Sequence, residues 1–166
     1  MGFLDMFKQS STPQIQTALP EMIIQEYRKG NLPVLNASKI FLQKGEVCHY
    51  FDKAIYEKKV VKKRTVRRNN GYSMPGFFKG TRVYSGGGTS DTIENVSYDS
   101  IKGILYITNK RIIFVDDEMG FDKKIDDIIA LTPYANCVEI QFKNGTYKIF
   151  VPDGNIVNFV LRETRK

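Results

Sequence analysis

Two short apolar segments separated by a two-residue turn constrain the fold of this chain more than any other feature. Residues 104–108 and 111–115 consist mostly of aliphatic and aromatic side chains, and Asn109-Lys110 separates them. A two-residue loop that begins with Asn is typical of a tight hairpin, because Asn adopts positive φ at little cost. Since both faces of this hairpin are apolar, we expect two interior strands that are covered on two sides.

A second hairpin is predicted around Asn144-Gly145, a dipeptide that strongly favours a two-residue hairpin turn. If these two residues form the loop, the facing pairs along the strands are Phe142–Tyr147, Ile140–Ile149 and Val138–Val151. These six side chains project to one side, while the other side is mostly charged or polar. We therefore expect one buried face and one mostly solvated face.

Helices are predicted near both ends of the chain. The first covers residues 20–29, because Pro20 suits a first helical position and Gly30 offers a left-handed cap. The second follows a Pro-Asp-Gly-Asn turn, in which Asp153 or Asn155 supplies the N-cap. Its apolar residues along one side are Ile156, Phe159 and Val160, with Val157 and Leu161 adjacent. The whole pattern predicts a mostly β (α+β) fold, an antiparallel β-barrel or sandwich with an N-terminal helix and a C-terminal capping helix.

The remaining segments give weaker signals. We predict a strand over residues 47–52, a turn at Asp52-Lys53 and a second strand over residues 54–66. From 69 to 100 the chain is rich in Gly, Ser and Asn, which indicates an elaborated hairpin or a long loop. Strands are expected there only at residues 81–84 and 93–96.

Composition excludes several classes of protein. The longest apolar runs are four residues, whereas a membrane-spanning helix needs about 18 or more. Cys48 and Cys137 lie in predicted strands, so we expect two reduced, buried thiols and a cytoplasmic protein. His49 is the single histidine, so we expect no metal site, no cofactor and no catalytic residues. The chain is predicted not to be an enzyme.

Positive charge is the one feature that points to a partner. The formal net charge is +7, which favours nucleic acid, an acidic membrane surface or an acidic protein. The candidate contacts to an anionic partner fall within residues 58–68 and are Lys58, Lys59, Lys62, Lys63, Arg64, Arg67 and Arg68. On an edge strand these charges keep other strands from pairing. Alternatively they grip phosphates, with Tyr56 and Tyr72 nearby for stacking. Both interpretations fit the sequence.

Residues 103–114, Gly-Ile-Leu-Tyr-Ile-Thr-Asn-Lys-Arg-Ile-Ile-Phe, resemble the signature of GRAM domains and bacterial pleckstrin-homology-like (PH-like) domains. In that family a Gly precedes the strand, Thr-Asn forms the turn and an Arg opens the returning strand. The run Ile125-Asp126-Asp127-Ile128 resembles the family's next strand, and Gly45-Glu46 resembles the start of its opening strand. The glycines of residues 76–88 resemble the insertion of an uncharacterised bacterial and phage branch.

The resemblance extends over residues 101–162 and, more weakly, over 42–100. It implies a PH-like domain over residues 41–166 with a Gly-rich insertion at about 69–100, preceded by an N-terminal tail and helix over 1–40. Since GRAM domains bind lipids or proteins, it implies a non-catalytic binding module for an anionic surface or a protein, in the cytoplasm or peripheral at a membrane. Nucleic-acid binding through the basic strand and homo-oligomeric assembly are the alternatives.

Overall fold

The computed structural model describes residues 12–69, 71–76, 79–80, 82–117 and 120–166. The start of the predicted N-terminal tail, residues 1–11, lies outside these ranges, as does Thr81, the first residue of one predicted strand. In chain order the elements are α1 (Glu21–Arg28), β1 (Cys48–Asn69), β2 (Tyr72–Pro75), β3 (Arg82–Ser85), β4 (Gly88–Thr108), β5 (Arg111–Val115), β6 (Phe121–Lys124), a 3-10 helix (Ile125–Asp127), β7 (Ile128–Pro133), β8 (Cys137–Phe142), β9 (Gly145–Phe150) and α2 (Gly154–Thr164).

Seven strands form one curled, antiparallel half-barrel sheet in the order β6-β5-β4-β1-β9-β8-β7. β2 and β3 form a separate antiparallel pair. The described part of the chain is therefore mostly β with two short helices, which confirms the predicted mostly β (α+β) class. The chain divides into two compact units. Lys59–Asp99 forms one unit, and the described residues before Lys59 join Ser100–Lys166 in the other, which we call the core unit.

β4 and β5 form the hairpin on which the core unit is built. Their paired residues run from Ile104–Val115 to Ile107–Ile112, so the strands and the two-residue loop lie where the sequence predicts them. One face belongs to the main hydrophobic core and contributes Leu105, Ile107, Ile112 and Phe114. The other face belongs to a second cluster, made of Ala37, Cys48, Tyr106 and Ile113. The prediction of apolar cover on two sides is confirmed.

The turn between β4 and β5 depends on side-chain hydrogen bonds. No described residue other than glycine has positive φ, so the expected positive φ at Asn109 is wrong. Instead, the Asn109 side chain accepts a hydrogen bond from the Val47 amide at 2.9 Å and donates one to the Gly45 carbonyl at 3.1 Å. Asn109 therefore ties the hairpin to the segment that precedes β1.

β8 and β9 form the second hairpin, in a register two residues away from the predicted one. Phe142 pairs with Gly145, so Lys143 and Asn144 form the loop. Gly145 has φ of 148°, a conformation that other residues rarely adopt, and it follows the loop instead of lying within it. The predicted pairs Phe142–Tyr147, Ile140–Ile149 and Val138–Val151 are therefore wrong. A shift of two residues keeps each side chain on its predicted face, and Val138, Ile140, Phe142, Ile149 and Val151 are all buried.

β1 continues from Cys48 to Asn69, so the predicted turn at Asp52-Lys53 is wrong. Asp52 is 2% exposed. Its carboxylate accepts hydrogen bonds from the Thr17 hydroxyl and from the Ala18 amide, the latter at 2.8 Å. Because the N-terminal segment satisfies this carboxylate, Asp52 can remain inside a strand.

Two further segments differ from the prediction. β4 begins at Gly88, so the strand expected at residues 93–96 is part of a much longer one, and of the two interpretations of this stretch the structure has an elaborated hairpin. β4 lies beside β1 in the sheet, and backbone hydrogen bonding there does not require apolar side chains. The strand predicted over residues 125–128 is also wrong in its first three residues, which form the 3-10 helix, and β7 begins at Ile128.

α1 lies within one residue of its predicted ends. Pro20 is its N-cap, and Gly30 follows its end with φ of 85°, as expected for a left-handed cap. Its buried residues are Ile24 and Tyr27. The Tyr27 hydroxyl donates a hydrogen bond to the His49 carbonyl at 2.6 Å, which attaches the helix to β1.

α2 begins at the predicted cap. The Asp153 carboxylate accepts hydrogen bonds from the amides of Asn155 at 2.9 Å and Ile156 at 3.4 Å. The side chains that α2 buries most deeply are Val157, Val160 and Leu161. Ile156 and Phe159 are only half-buried, so the helix is rotated slightly from the predicted orientation.

Cys48 and Cys137 are free and buried, as predicted. Burial raises the pKa of each thiol to about 11. Both thiols are therefore protonated at neutral pH and act as packing residues.

A buried ion pair, which we call the clasp, joins Glu46 to Arg111. The Glu46 carboxylate lies 2.8 Å from Arg111 Nε and accepts hydrogen bonds at 2.6 Å from the Thr108 hydroxyl and the Gln43 amide. Arg111 also pairs with Asp122. Burial alone would raise the pKa of Glu46, but the hydrogen bonds from Arg111, Gln43 and Thr108 outweigh it and lower the pKa below 4.5. The clasp thus holds the segment before β1 against the β4–β5 hairpin.

We predict that Glu46→Gln lowers the free energy of unfolding at neutral pH by about 2–4 kcal/mol, because it leaves Arg111 without its buried counter-ion. The pKa of Glu46 is lower in the folded state than the ordinary 4.5. The stability that the carboxylate contributes is therefore complete above pH 4.5 and is lost as the pH falls through the folded-state pKa. Urea denaturation should show the difference between variant and wild type shrinking in that acidic range.

Glu163→Gln is the control for this experiment, because it removes a more exposed carboxylate that pairs with Lys166. It should cost less than about 0.5 kcal/mol. Equal costs for the two variants would contradict a stabilising clasp.

Candidate functional site

Six of the seven predicted anion contacts lie on one two-stranded segment. Residues 59–69 of β1 and 88–99 of β4 form it, and we call it the basic ribbon. Its β1 portion carries Lys59, Lys62, Lys63, Arg64, Arg67 and Arg68, all of them exposed. The seventh predicted contact, Lys58, belongs to the core unit and is not counted as part of the ribbon.

Positive charge is concentrated in the unit that contains the ribbon. Residues 59–99 include eight Lys and Arg but only three Asp and Glu, which gives +5 of the chain's formal charge of +7. Lys63 Nζ lies 2.9 Å from Glu94 Oε1, and both side chains are more than half exposed. Whatever further pairs form within this unit, it keeps its excess of positive charge.

The six cations are divided equally between the two faces of the ribbon. Successive side chains of a strand point to opposite faces. One face therefore carries Lys59, Lys63 and Arg67, and the opposite face carries Lys62, Arg64 and Arg68. The ribbon presents positive charge in two opposite directions.

Both faces of the ribbon carry exposed apolar side chains: Ile93, 50% exposed, lies on one face, and the other face carries three. The Lys63–Glu94 salt bridge places Glu94 on the same face as Lys63, and Val96 and Tyr98 follow at alternate positions of β4. Val61, Val96 and Tyr98 are 43%, 48% and 60% exposed. This face, which we call the Tyr98 face, combines an aromatic ring and two aliphatic side chains with three cations and Glu94. Asp91 and Asp99 lie on the opposite face, so each face keeps a net positive charge.

Of the two tyrosines predicted to stack against a ligand, Tyr56 is already packed against other rings. Tyr56 packs in the core unit against the rings of Phe114, Phe121 and Tyr147, with centroid distances of 5.4 to 6.0 Å. The side chain of Tyr72 lies outside the described part of the chain. Sequence reasoning misses Tyr98, because the strand expected there ends at residue 96. The spacing of Val96 and Tyr98 is the signal that could have revealed it.

The core unit has a charged groove beside the clasp, but its charges are nearly balanced. Its charged lining residues are Lys110, Arg111, Lys123 and Lys124 together with Asp122, Asp126 and Asp127. Arg111 is already bound to Glu46 and Asp122. An anion is therefore attracted less strongly to this groove than to the ribbon.

Neither grouped ligands nor known relatives indicate another kind of site. Within the described ranges, no three His, Cys, Asp or Glu side chains are placed to hold a metal ion. No described helix is both long enough and apolar enough to cross a membrane. Comparisons of the chain with protein-family models, with curated proteins and with solved structures found no match.

We predict that Tyr98→Ala changes the free energy of unfolding by less than about 0.5 kcal/mol, because its ring is exposed. Tyr56→Ala should lower it by about 3 kcal/mol, because that ring is packed among three others. Urea denaturation of both variants checks the assignment. A similar loss in the two variants would show that Tyr98 is not a free surface residue.

Proposed function

We propose that this chain is a non-catalytic binding module of the PH-like (GRAM) type, and that its basic ribbon binds an anionic partner. We place it in the cytoplasm, free or peripheral at a membrane. The observation that carries the proposal is the concentration of +5 of the net charge in one unit, with cations on both ribbon faces. Such a charge distribution attracts anions over distances well beyond contact.

The core unit supports the PH-like part of the proposal. A seven-stranded antiparallel sheet is followed by a single helix, α2, as the resemblance implies. The residues that carry the resemblance also have structural roles. A Cβ on Gly103 would clash with the Val115 carbonyl oxygen, so this position requires glycine. Asn109 and Arg111 tie the hairpin to the segment before β1.

A purely protective role accounts less well for the ribbon. An exposed strand edge is blunted by a few charges, a proline or a bulge. Here six cations stand within ten residues, from Lys59 to Arg68. Their mutual repulsion opposes the folded state unless an anion compensates it. An anionic partner relieves that repulsion, and this favours a binding role.

The proposal is tested by measuring affinity for heparin, a sulfated polyanion that has no base sequence to be recognised. The ribbon variant changes all six cations to Gln. We expect its affinity, measured by fluorescence anisotropy with labelled heparin, to fall at least about 100-fold, since each cation near an anionic surface contributes roughly 1 kcal/mol.

A matched variant of the core unit separates local charge from net charge. It changes six exposed cations to Gln: Lys39, Lys44, Lys53, Lys102, Lys143 and Arg165. Both variants have the same net charge, but the core-unit variant should keep most of the wild-type affinity. Equal losses in the two variants, or no binding by the wild type, would contradict the proposed function.

A further inference from the structure

The charge pattern of the ribbon also indicates the class of its partner. We infer that the anionic partner is double-stranded DNA and that the basic ribbon lies in its major groove. This inference rests on the proposed function, because it assigns a partner to the same surface. A flat bilayer and a grooved duplex make different demands on a ribbon, and two features of this ribbon fit the duplex.

The first feature is the equal division of cations between the two faces. A planar membrane touches one face of a ribbon at a time, so cations on the opposite face point away from it. A ribbon inserted in a groove has phosphates along both walls. Lys62, Arg64 and Arg68 on the outward face reach the phosphates at the rim, since long side chains bend toward a charged partner. A duplex groove can therefore bind the three cations on each face, whereas a planar membrane binds the cations of only one face.

The second feature is size. From Lys59 to Arg68 the strand advances nine residues, roughly 30 Å at the usual rise. One turn of duplex DNA is about 34 Å long. Its major groove is about 12 Å wide and about 8.5 Å deep, and it admits a two-stranded β-ribbon. The cations thus follow the groove over nearly one turn.

The composition of the Tyr98 face fits the floor of that groove. Lys and Arg donate to the O6 and N7 atoms of guanine, and apolar side chains contact the methyl group of thymine. Lys59, Lys63 and Arg67 supply the donors, with Lys63 also paired to Glu94, while Val61 and Val96 supply exposed aliphatic surface. This places the Tyr98 face toward the bases and the opposite face toward solvent and phosphates.

The test compares two triple variants, each of which neutralises one face. The Tyr98-face triple is Lys59→Gln, Lys63→Gln and Arg67→Gln. The opposite-face triple is Lys62→Gln, Arg64→Gln and Arg68→Gln. A control triple of exposed core-unit cations is Lys39→Gln, Lys143→Gln and Arg165→Gln. All three variants have the same net charge, and circular dichroism checks that each is folded.

Binding is measured by anisotropy with a labelled, mixed-sequence DNA duplex at salt concentrations between about 50 and 200 mM. We expect each ribbon triple to weaken binding at least about tenfold at the lower salt. We also expect the opposite-face triple to reduce the slope of log K against log salt by about 2–3, because it removes phosphate contacts. The control triple should bind within about twofold of the wild type. Sedimentation with phosphatidylcholine vesicles, with and without phosphatidylglycerol, is measured in parallel.

Each outcome decides the inference. Loss of duplex binding in both ribbon triples, but not in the control, supports groove binding. Loss in only one ribbon triple overturns it, because the partner then contacts one face. Loss in neither ribbon triple, or an equal loss in the control triple, overturns it as well, because the ribbon then does not determine duplex binding. Binding to heparin without binding to the duplex overturns it and leaves the proposed function standing, and sedimentation with phosphatidylglycerol vesicles then tests a membrane as the partner. Failure of the wild type to bind heparin overturns both.

Discussion

Burial of apolar side chains on both faces of the β4–β5 hairpin is the constraint on which the rest of the core unit depends. Each fully buried aliphatic or aromatic side chain contributes roughly 1.5–3 kcal/mol, so neither face can be left in water. The main core covers one face, with side chains from α1, α2, β8 and β9. The second cluster covers the other face, with Ala37 and Cys48. The clasp between Glu46 and Arg111, together with Asn109, fastens the segment that makes this second cover possible.

In the basic ribbon, by contrast, most side chains are exposed to solvent, although its strands, β1 and β4, continue into the core unit. Val60 and Val66 are half-buried, and the other described side chains from Lys59 to Arg68 and from Gly88 to Asp99 are exposed. Backbone pairing between β1 and β4 and the Lys63–Glu94 salt bridge stabilise the ribbon. Its side chains are therefore not needed to build a core, and they can be chosen for a partner. In this account the core unit provides folding free energy and the ribbon provides binding.

Much of the core unit can be predicted from the sequence, because its turns, caps and apolar patterns are set by residues that are close together in the chain. The β4–β5 hairpin, α1, the Asp153 cap and the buried face of β8 and β9 each depend on a few neighbouring residues. The register of β8 and β9 does not follow from local sequence. Gly145 can adopt positive φ either inside the loop or directly after it, so the turn residues permit both pairings. The role of Asp52 depends on Thr17 and Ala18, thirty-four residues or more away, so no local pattern reveals it.

The sequence predicts the cations of the candidate site, but not the side chains of the neighbouring strand that share its surface. A charge run is visible in sequence, whereas the strand opposite it, 88–99, has little apolar periodicity and is held by backbone pairing and the Lys63–Glu94 salt bridge. The sequence therefore gives little indication of Tyr98. It also does not reveal the core position of Tyr56, because the packing of Tyr56 against Phe114 and Phe121 is a long-range contact.

The division of roles between core unit and ribbon is tested most directly by native-state hydrogen exchange, with and without heparin. We expect the amides of the strand residues within 105–114 and 138–149 to exchange slowest and to be unaffected by heparin, whereas amides of the ribbon exchange much faster and slow down when heparin binds. Slow exchange in the free ribbon, or protection that appears around Arg111 and leaves the ribbon unchanged, would contradict it.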